Sequence, residues 1–212
     1  MTIRVLLADD HALMREGLRA LLSASGEVSV VAEASTGREA LARARETDPD
    51  VVLMDIAMPD MNGIEAAALI REKCPRTRII VLSMHHDSEH VHRALEAGAS
   101  GYLLKERAAV EVLAALRMVH AGHTYLSEGV TLHARASGGT LSPGPLESLS
   151  RRERQVLQLV VEGHSSAAIG LKTHLSRKPV ESYRSRLMKK LGVADLPALV
   201  KFAVRHGLTP PE

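Results

Sequence analysis

The sequence predicts an α/β domain with a five-stranded parallel sheet, followed by a small all-α domain of four helices in a helix-turn-helix layout. Three observations carry this. Short apolar runs alternate with helix-period segments through residues 1–122, the pattern of β-then-α units. From Leu149 onward the apolar spacing is helical only. Between them, Ser137-Gly-Gly-Thr-Leu-Ser-Pro-Gly-Pro145 is a Gly/Pro/Ser tract that reads as a flexible linker. The expected division is 1–122, a linker at 123–147, and 148–212.

The first strand is Ile3 to Ala8. Ala12 to Ser23 then reads as a helix with Leu13, Leu18, Leu21 and Leu22 on one face. Val28 to Ala34 is the second strand. Thr36-Gly-Arg-Glu39 has the spacing of a capping box and opens a helix that Asp48-Pro49 ends. Val51 to Met54 is a third strand, apolar throughout and so buried on both faces. Gly63 to Lys73, Asp87 to Ala97 and Ala108 to His120 are helices, with strands at Arg78 to Leu82 and Gly101 to Leu104. Crossovers in such a sheet are right-handed. Periodicity alone leaves both common doubly wound strand orders open.

In the second half, Ser150 and Glu153 form a capping box before Val156, Leu157, Val160 and Val161. Ser165 or Ser166 caps a short helix through Leu171, and a tight turn at Thr173 and His174 follows. Ser176 caps the next helix, which Gly192 ends. A last helix runs from about Leu196 to His206, with Gly207 after it.

Composition excludes several classes. Charged residues at 25% and hydrophobics at 45% are those of a globular protein. Aromatics are 2%, so the cores rest on aliphatic side chains. A single cysteine, Cys74, rules out an internal disulfide framework. There is no signal-peptide layout, and no apolar run approaches the roughly 20 residues that span a bilayer. The expected location is the cytoplasm, without a membrane partner. The net charge of +2 hides an asymmetry. Residues 1–122 hold 14 Lys/Arg and 18 Asp/Glu, whereas residues 123–212 hold 13 and 7. The basic half points to a polyanionic partner.

The acids of the first half converge. Asp9 and Asp10 follow the first strand, Asp55 the third, Ser83 the fourth and Lys105 the fifth. In a parallel sheet these ends share one edge, where ligands bind. Three carboxylates there repel unless a cation neutralises them, and hard oxygen donors suit Mg²⁺. A carboxylate so placed can take a phosphoryl group as a nucleophile, with a lysine and a hydroxyl holding the phosphate oxygens. Taken singly, Asp55 reads equally as a helix cap, Ser83 as loop chemistry and Tyr102 as core. His85, His86, His90 and His92 cluster after the fourth strand. They read as a polar helix face, since no carboxylate or thiolate spacing supports a metal site there.

Leu7-Ala-Asp-Asp-His11, Met54-Asp-Ile-Ala-Met-Pro59, Val81-Leu-Ser-Met84 and Gly98-Ala-Ser-Gly-Tyr-Leu-Leu-Lys105 follow in order and spacing. Over residues 3–122 the chain resembles the receiver domain of two-component response regulators. The resemblance implies a flavodoxin-like strand order 2-1-3-4-5. It implies Asp55 as phospho-acceptor and Asp10 as direct Mg²⁺ ligand. Asp9 would act through water, and Ala57 through its backbone carbonyl. Ser83 and Lys105 would sense the phosphate, and Tyr102 would be a switch that swings inward as Ser83 moves. Glu106 departs from the Pro that many receivers carry there.

The helix after Ser176 is basic. Val180, Leu187, Met188 and Leu191 can face a core, leaving Arg177, Lys178, Arg184, Arg186, Lys189 and Lys190 for phosphates and Glu181, Ser182 and Ser185 for base edges. A solvated basic face is the plainer alternative. Leu149-Ser-Arg-Arg-Glu-Arg-Gln-Val-Leu-Gln-Leu159, Glu162-Gly163, Val180-Glu181 and Lys190-Leu-Gly-Val193 resemble the LuxR-type DNA-binding domain over about residues 148–208. The whole chain is thus similar to NarL/FixJ-type response regulators. Thr173, His174 and Pro179 depart from that pattern, where Leu, Gly and Thr are usual.

The resemblance implies a transcription regulator that takes a phosphoryl group from a partner histidine kinase and binds double-stranded DNA. It would act as a homodimer pairing through Leu199, Val200, Ala203 and Val204. It would not be an enzyme with turnover. Two other readings stand beside it. One is a DNA-binding regulator indifferent to phosphorylation. The other is a phosphatase with an Asp nucleophile, against which Ala57 stands where such enzymes place a second acid.

Overall fold

Alternation of side chains along each buried strand gives the first unit two apolar layers, one on either face of a single sheet. A computed structural model describes residues 2–130, 145–146, 148–206 and 208, in two compact units, Met1–His133 and Ala134–Glu212. The strands are β1 (Ile3–Ala8), β2 (Val28–Ala34), β3 (Val51–Asp55), β4 (Arg78–Ser83), β5 (Gly101–Leu104) and β6 (Tyr125–Leu126). All pair in parallel, in the order β2-β1-β3-β4-β5-β6. The order expected from the resemblance holds for the first five.

Between the strands lie α1 (Ala12–Ala24), α2 (Gly37–Thr47), α3 (Gly63–Lys73), α4 (Ser88–Glu96) and α5 (Ala108–His120), with a 3-10 turn over Lys105–Arg107. Leu6, Val52, Met54, Ile79, Val81 and Leu104 pack in one layer with α2, α3 and α4, through Ala40, Ala44, Ala66, Ala67, Ile70, Val91 and Ala94. Val5, Leu7, Leu53, Ile80, Leu82 and Leu103 form the other with Leu18 and Leu22 of α1 and Val112, Ala115, Leu116 and Val119 of α5. Each such Leu or Val contributes roughly 1.5–3 kcal/mol by leaving water. Leu13 departs from its expected inner face and is 83% exposed.

Three helix starts are closed by side-chain caps, of which the spacing predicts the one at Thr36. Thr36, Asn62 and Asp87 each accept a hydrogen bond from the N–H three residues on. The expected box at Thr36 is altered, since Glu39 reaches the Ser35 N–H and hydroxyl instead.

The sixth strand corrects the linker reading. Tyr125 and Leu126 pair with Gly101 and Tyr102. Glu111 of α5 anchors this extension, accepting from Tyr125 Oη at 3.1 Å and from Ser127 Oγ and Arg107. The first unit therefore runs past residue 122. Most of the Ser137–Pro145 tract, like Gly207, lies outside the described residues.

The second unit is α6 (Arg151–Val161), α7 (Ser166–Thr173), α8 (Arg177–Leu191) and α9 (Leu196–Arg205). Its core joins Val156, Leu157, Val160, Ile169, Val180, Leu187, Leu199 and Ala203. The Ser150–Glu153 capping box is present on both sides. Ser165, rather than Ser166, caps α7, and α7 extends to Thr173. Gly170 lets the turn after α7 close, because a Cβ there would meet the Leu175 carbonyl oxygen at 2.5 Å.

Candidate functional site

The carboxyl ends of β1, β3, β4 and β5 bring the predicted acidic constellation together. Asp9, Asp55 and Ser83 are each within 2% of full burial, and Asp10 is half-buried. Lys105, just past β5, places Nζ 2.7 Å from Asp55 Oδ2 and 2.9 Å from Asp9 Oδ2. Ala57 sits beside the acceptor, its N–H 3.4 Å from Asp55 Oδ1. Gly63 is needed here: a Cβ on it would fall 1.9 Å from the Asp55 carbonyl oxygen, so only glycine lets α3 start this close.

Burial pushes the Asp55 carboxyl up to about 6, with Asp9 and Asp10 adding to the rise and Lys105 opposing it. Burial also pulls the Lys105 ammonium down, but the Asp55 charge and its bonds to Asp55 and Asp9 outweigh this and raise it. Three acids facing one lysine leave an uncompensated negative site. Asp9, Asp10 and Asp55 offer oxygens within 4.8 Å of one another, together with a nitrogen of His11. This oxygen-rich set fits a hard divalent cation such as Mg²⁺.

Two partners of the site were not singled out from sequence. His11 Nδ1 lies 3.1 Å from Asp9 Oδ1 and 2.9 Å from Asp10 Oδ1. Arg15 donates to the Asp9 carbonyl at 2.6 Å. His11 directly follows the acid pair, which was the available signal. Arg15 lies a turn further along α1, and nothing local marks it.

Tyr102 is buried with its ring inside the sheet unit, and its hydroxyl donates to the His85 carbonyl at 2.8 Å. Burial raises the phenol to about 12, against a hydrogen bond with Ser83. The Ser83 hydroxyl accepts from the His85 N–H at 3.0 Å.

In the second unit, α8 buries Val180 and Leu187 and exposes Arg177, Lys178, Glu181, Ser182, Ser185, Arg186 and Lys189. Lys178, Glu181, Ser182, Ser185 and Lys189 recur at helical spacing and share one open face. Arg177 Nε pairs with Glu181 at 2.7 Å, and Ser182 bonds back to the Lys178 carbonyl at 3.1 Å. Arg184 is half-buried and donates to the Ser166 hydroxyl at 3.2 Å, tying α8 to the start of α7. Arg186 lies over the Tyr183 ring at 4.6 Å. His174 closes the preceding turn in the left-handed region, at φ 55° and ψ 40°.

The family model described as the response regulator receiver domain matches residues 5–117. The model for bacterial regulatory proteins of the luxR family matches residues 147–203. This chain is a LuxR-type two-component response regulator. It is 34% identical to the response regulator protein VraR of Staphylococcus aureus over 208 residues, which is 98% of this chain and 99% of that protein. It resembles the crystal structure of a LuxR-family two-component response regulator from Aurantimonas sp. SI85-9A1, at 40% identity and a TM-score of 0.59, over 61% of this chain and 93% of that one. It also resembles a structure of two RcsB dimers bound to two parallel DNAs, at 27% identity and a TM-score of 0.57, over 95% of this chain and 98% of that one.

Within this response regulator four expectations need correction. Leu199 and Ala203, read as dimer contacts, are buried in the core of their own unit, and only Val200 and Val204 keep partial exposure. Lys190, read as a phosphate contact, has Nζ 2.7 Å from Glu153 and 3.1 Å from the Ser148 carbonyl, so it braces α8 against α6. Ser176 stands at the helix start but its side chain caps nothing. The reason is Pro179, which occupies the third helical position and has no N–H to donate. Finally, the histidine cluster is not a polar face throughout. His90 is 5% exposed, bonds both Asp87 oxygens through Nδ1 at 2.8 Å, and stacks on His85 at 4.2 Å. Asp87 supplies the carboxylate that spacing alone did not reveal, and the three residues offer ligand atoms within 4.8 Å. The rings lie only 11° from parallel, so their in-plane lone pairs do not converge on one ion.

Proposed function

We propose that this regulator accepts a phosphoryl group on Asp55 from a partner histidine kinase and thereby controls double-stranded DNA binding by α8. The observation that carries the reading is Lys105 bridging Asp55 and Asp9 at the sheet edge, with Ser83 buried at the neighbouring strand end. An Asp55 oxygen forms the new O–P bond as the donor's bond to phosphorus breaks and its electron pair stays with the donor nitrogen. Lys105 already sits within bonding distance of Asp55, placed to pair with the incoming phosphoryl oxygens. Asp10 and Asp55 would hold Mg²⁺ directly, Asp9 would act through water, and the Ala57 carbonyl would complete the protein ligands. The ion would supply neutralising charge for the incoming phosphoryl group.

The charge gained at Asp55 biases Ser83, and through it Tyr102, between two arrangements. The output is α8. Arg177, Lys178, Arg186 and Lys189 would meet phosphates, and Glu181, Ser182 and Ser185 base edges, with Arg184 partly committed to Ser166. The DNA-bound dimers of the RcsB relative support a dimeric, DNA-bound active form. Leu199 and Ala203 are buried in their own unit and offer such a dimer no open surface. Ala57 offers no acid or base, which supports a phosphorylated switch over a turnover enzyme. No helix among the described residues is long and apolar enough to cross a membrane.

Labelling with acetyl phosphate in Mg²⁺ tests the input. Stoichiometric label on the wild type and none on Asp55→Asn is the expected result. Label persisting on Asp55→Asn removes Asp55 from the role. Beryllofluoride should tighten operator binding by the full chain. Unchanged affinity would favour a regulator indifferent to phosphorylation.

A further inference from the structure

Three residues after β4 form a layered unit that the phosphoryl site does not use chemically. Asp87 starts α4, accepting from the His90 N–H at 3.1 Å, and its two oxygens also hold His90 Nδ1. That bond fixes His90 as the tautomer with a proton on Nδ1. Its Nε2 is buried without a hydrogen-bond partner among the described residues. The His90 ring is the floor on which the His85 ring stacks.

The His85 backbone ties Ser83 to Tyr102, since its N–H donates to the Ser83 hydroxyl and its carbonyl accepts from the Tyr102 hydroxyl, beside the direct hydrogen bond between the two side chains. The stacked ring and the two main-chain hydrogen bonds belong to the same residue, so the stack can help hold that main chain in place. We propose that the Asp87–His90–His85 stack positions Ser83 and Tyr102 through the His85 main chain, and that protonation of His85 releases it, giving the receiver a proton input beside its phosphoryl input. The inference rests on the reading of Ser83 as a phosphate sensor and Tyr102 as the switch that follows it.

The electrostatics agree in sign. Burial holds the His85 imidazole below its ordinary value, and His90, His86 and Arg93 add to the fall while Asp87 opposes it. A base with a lowered folded value keeps its contribution above about 6.5, its unfolded value, and loses it as pH falls through the folded value. The stack is therefore complete at neutral pH and weakens on acidification. The groups facing it are Asp87, His86, His90 and Arg93 from its own segment, Ser83 of β4, and Tyr102 of β5, with Glu106 4.0 Å from His86 beyond β5.

The test is the Tyr102 ring resonance of the ¹³C-tyrosine-labelled full chain, followed from pH 8 to 5.5 in an Asp55→Asn background, which removes the titration of Asp55 itself. A shift with a midpoint below 6.5 is expected. It should vanish in His85→Phe, which keeps a ring to stack but cannot take a proton. In Asp87→Asn, which removes the charge that opposes the fall at His85, the midpoint should move to lower pH. A Tyr102 resonance that does not titrate, or that titrates equally in His85→Phe, overturns the proposal. Acetyl phosphate labelling of the Asp55 protein is read separately, so failure of the phosphoryl reading and failure of the proton input give different results.

Discussion

Lys105 Nζ lies 2.7 Å from Asp55 Oδ2, and the same ammonium reaches Asp9 Oδ2 at 2.9 Å. One cation thus spans two buried acids while Asp10 stands beside them. The site is anionic before any phosphoryl group arrives, and its parts are held against their own repulsion.

The first consequence concerns Asp55 and stability. Its folded value is raised to about 6 from an ordinary 3.8, so the neutral form is the one the fold favours. The stability this gives is complete below 3.8 and is lost as pH rises through about 6. Asp55→Asn keeps the neutral shape at every pH. Without Mg²⁺ at pH 7.5 it should be more stable than wild type by about 1–2 kcal/mol. The gain should shrink towards pH 4. Urea denaturation at the two pH values measures both.

Removing the lysine should do the opposite. Lys105→Ala leaves Asp9 and Asp55 buried without their shared cation. Breaking a buried pair costs about 3–5 kcal/mol. Mg²⁺ binding to the folded form would recover part of this by mass action. The rise in melting temperature on adding Mg²⁺ should therefore be larger for Lys105→Ala than for wild type, as calorimetry would read. An equal rise would mean that the lysine and the ion do not share the same carboxylates.

Neighbouring lysines at the end of α8 should separate cleanly. Lys189 is exposed, whereas Lys190 is bound to Glu153, whose carboxyl is buried and also holds the Ser150 N–H. Lys189→Ala should lower the salt slope of DNA binding by about one and weaken binding to all sequences alike. Lys190→Ala should leave that slope unchanged and lower the melting temperature of the helical unit. Titrations at several salt concentrations, with thermal melts of each variant, distinguish these roles.

How much of this was legible follows from the reach of each signal. Asp9, Asp10, Asp55, Ser83 and Lys105 each end an apolar run, so a parallel sheet alone brings them to one edge. Tyr125–Leu126 escaped because a two-residue strand shows no period, and its hold on Glu111 is a tertiary contact. Leu199 and Ala203 looked like an open apolar stripe because periodicity finds a helix's apolar side but not what covers it. His90 looked polar for the same reason, until Asp87 and His85 enclosed it.

The turn before α8 carries the last prediction. His174 sits at φ 55°, a region where a side chain other than glycine's costs about 1–2 kcal/mol. Its neighbours hold it there: Leu175 donates to the Gly170 carbonyl at 2.9 Å, the Thr173 hydroxyl to the Ile169 carbonyl at 2.7 Å, and Arg152 reaches the Thr173 carbonyl. His174→Gly relieves the strain but frees the unfolded chain, so the two effects partly cancel. A net gain of about 0.5–1 kcal/mol is expected, read by denaturation of the full chain. Since the turn geometry is retained, operator affinity should stay the same. A loss of affinity with a gain in stability would show that the imidazole itself touches DNA.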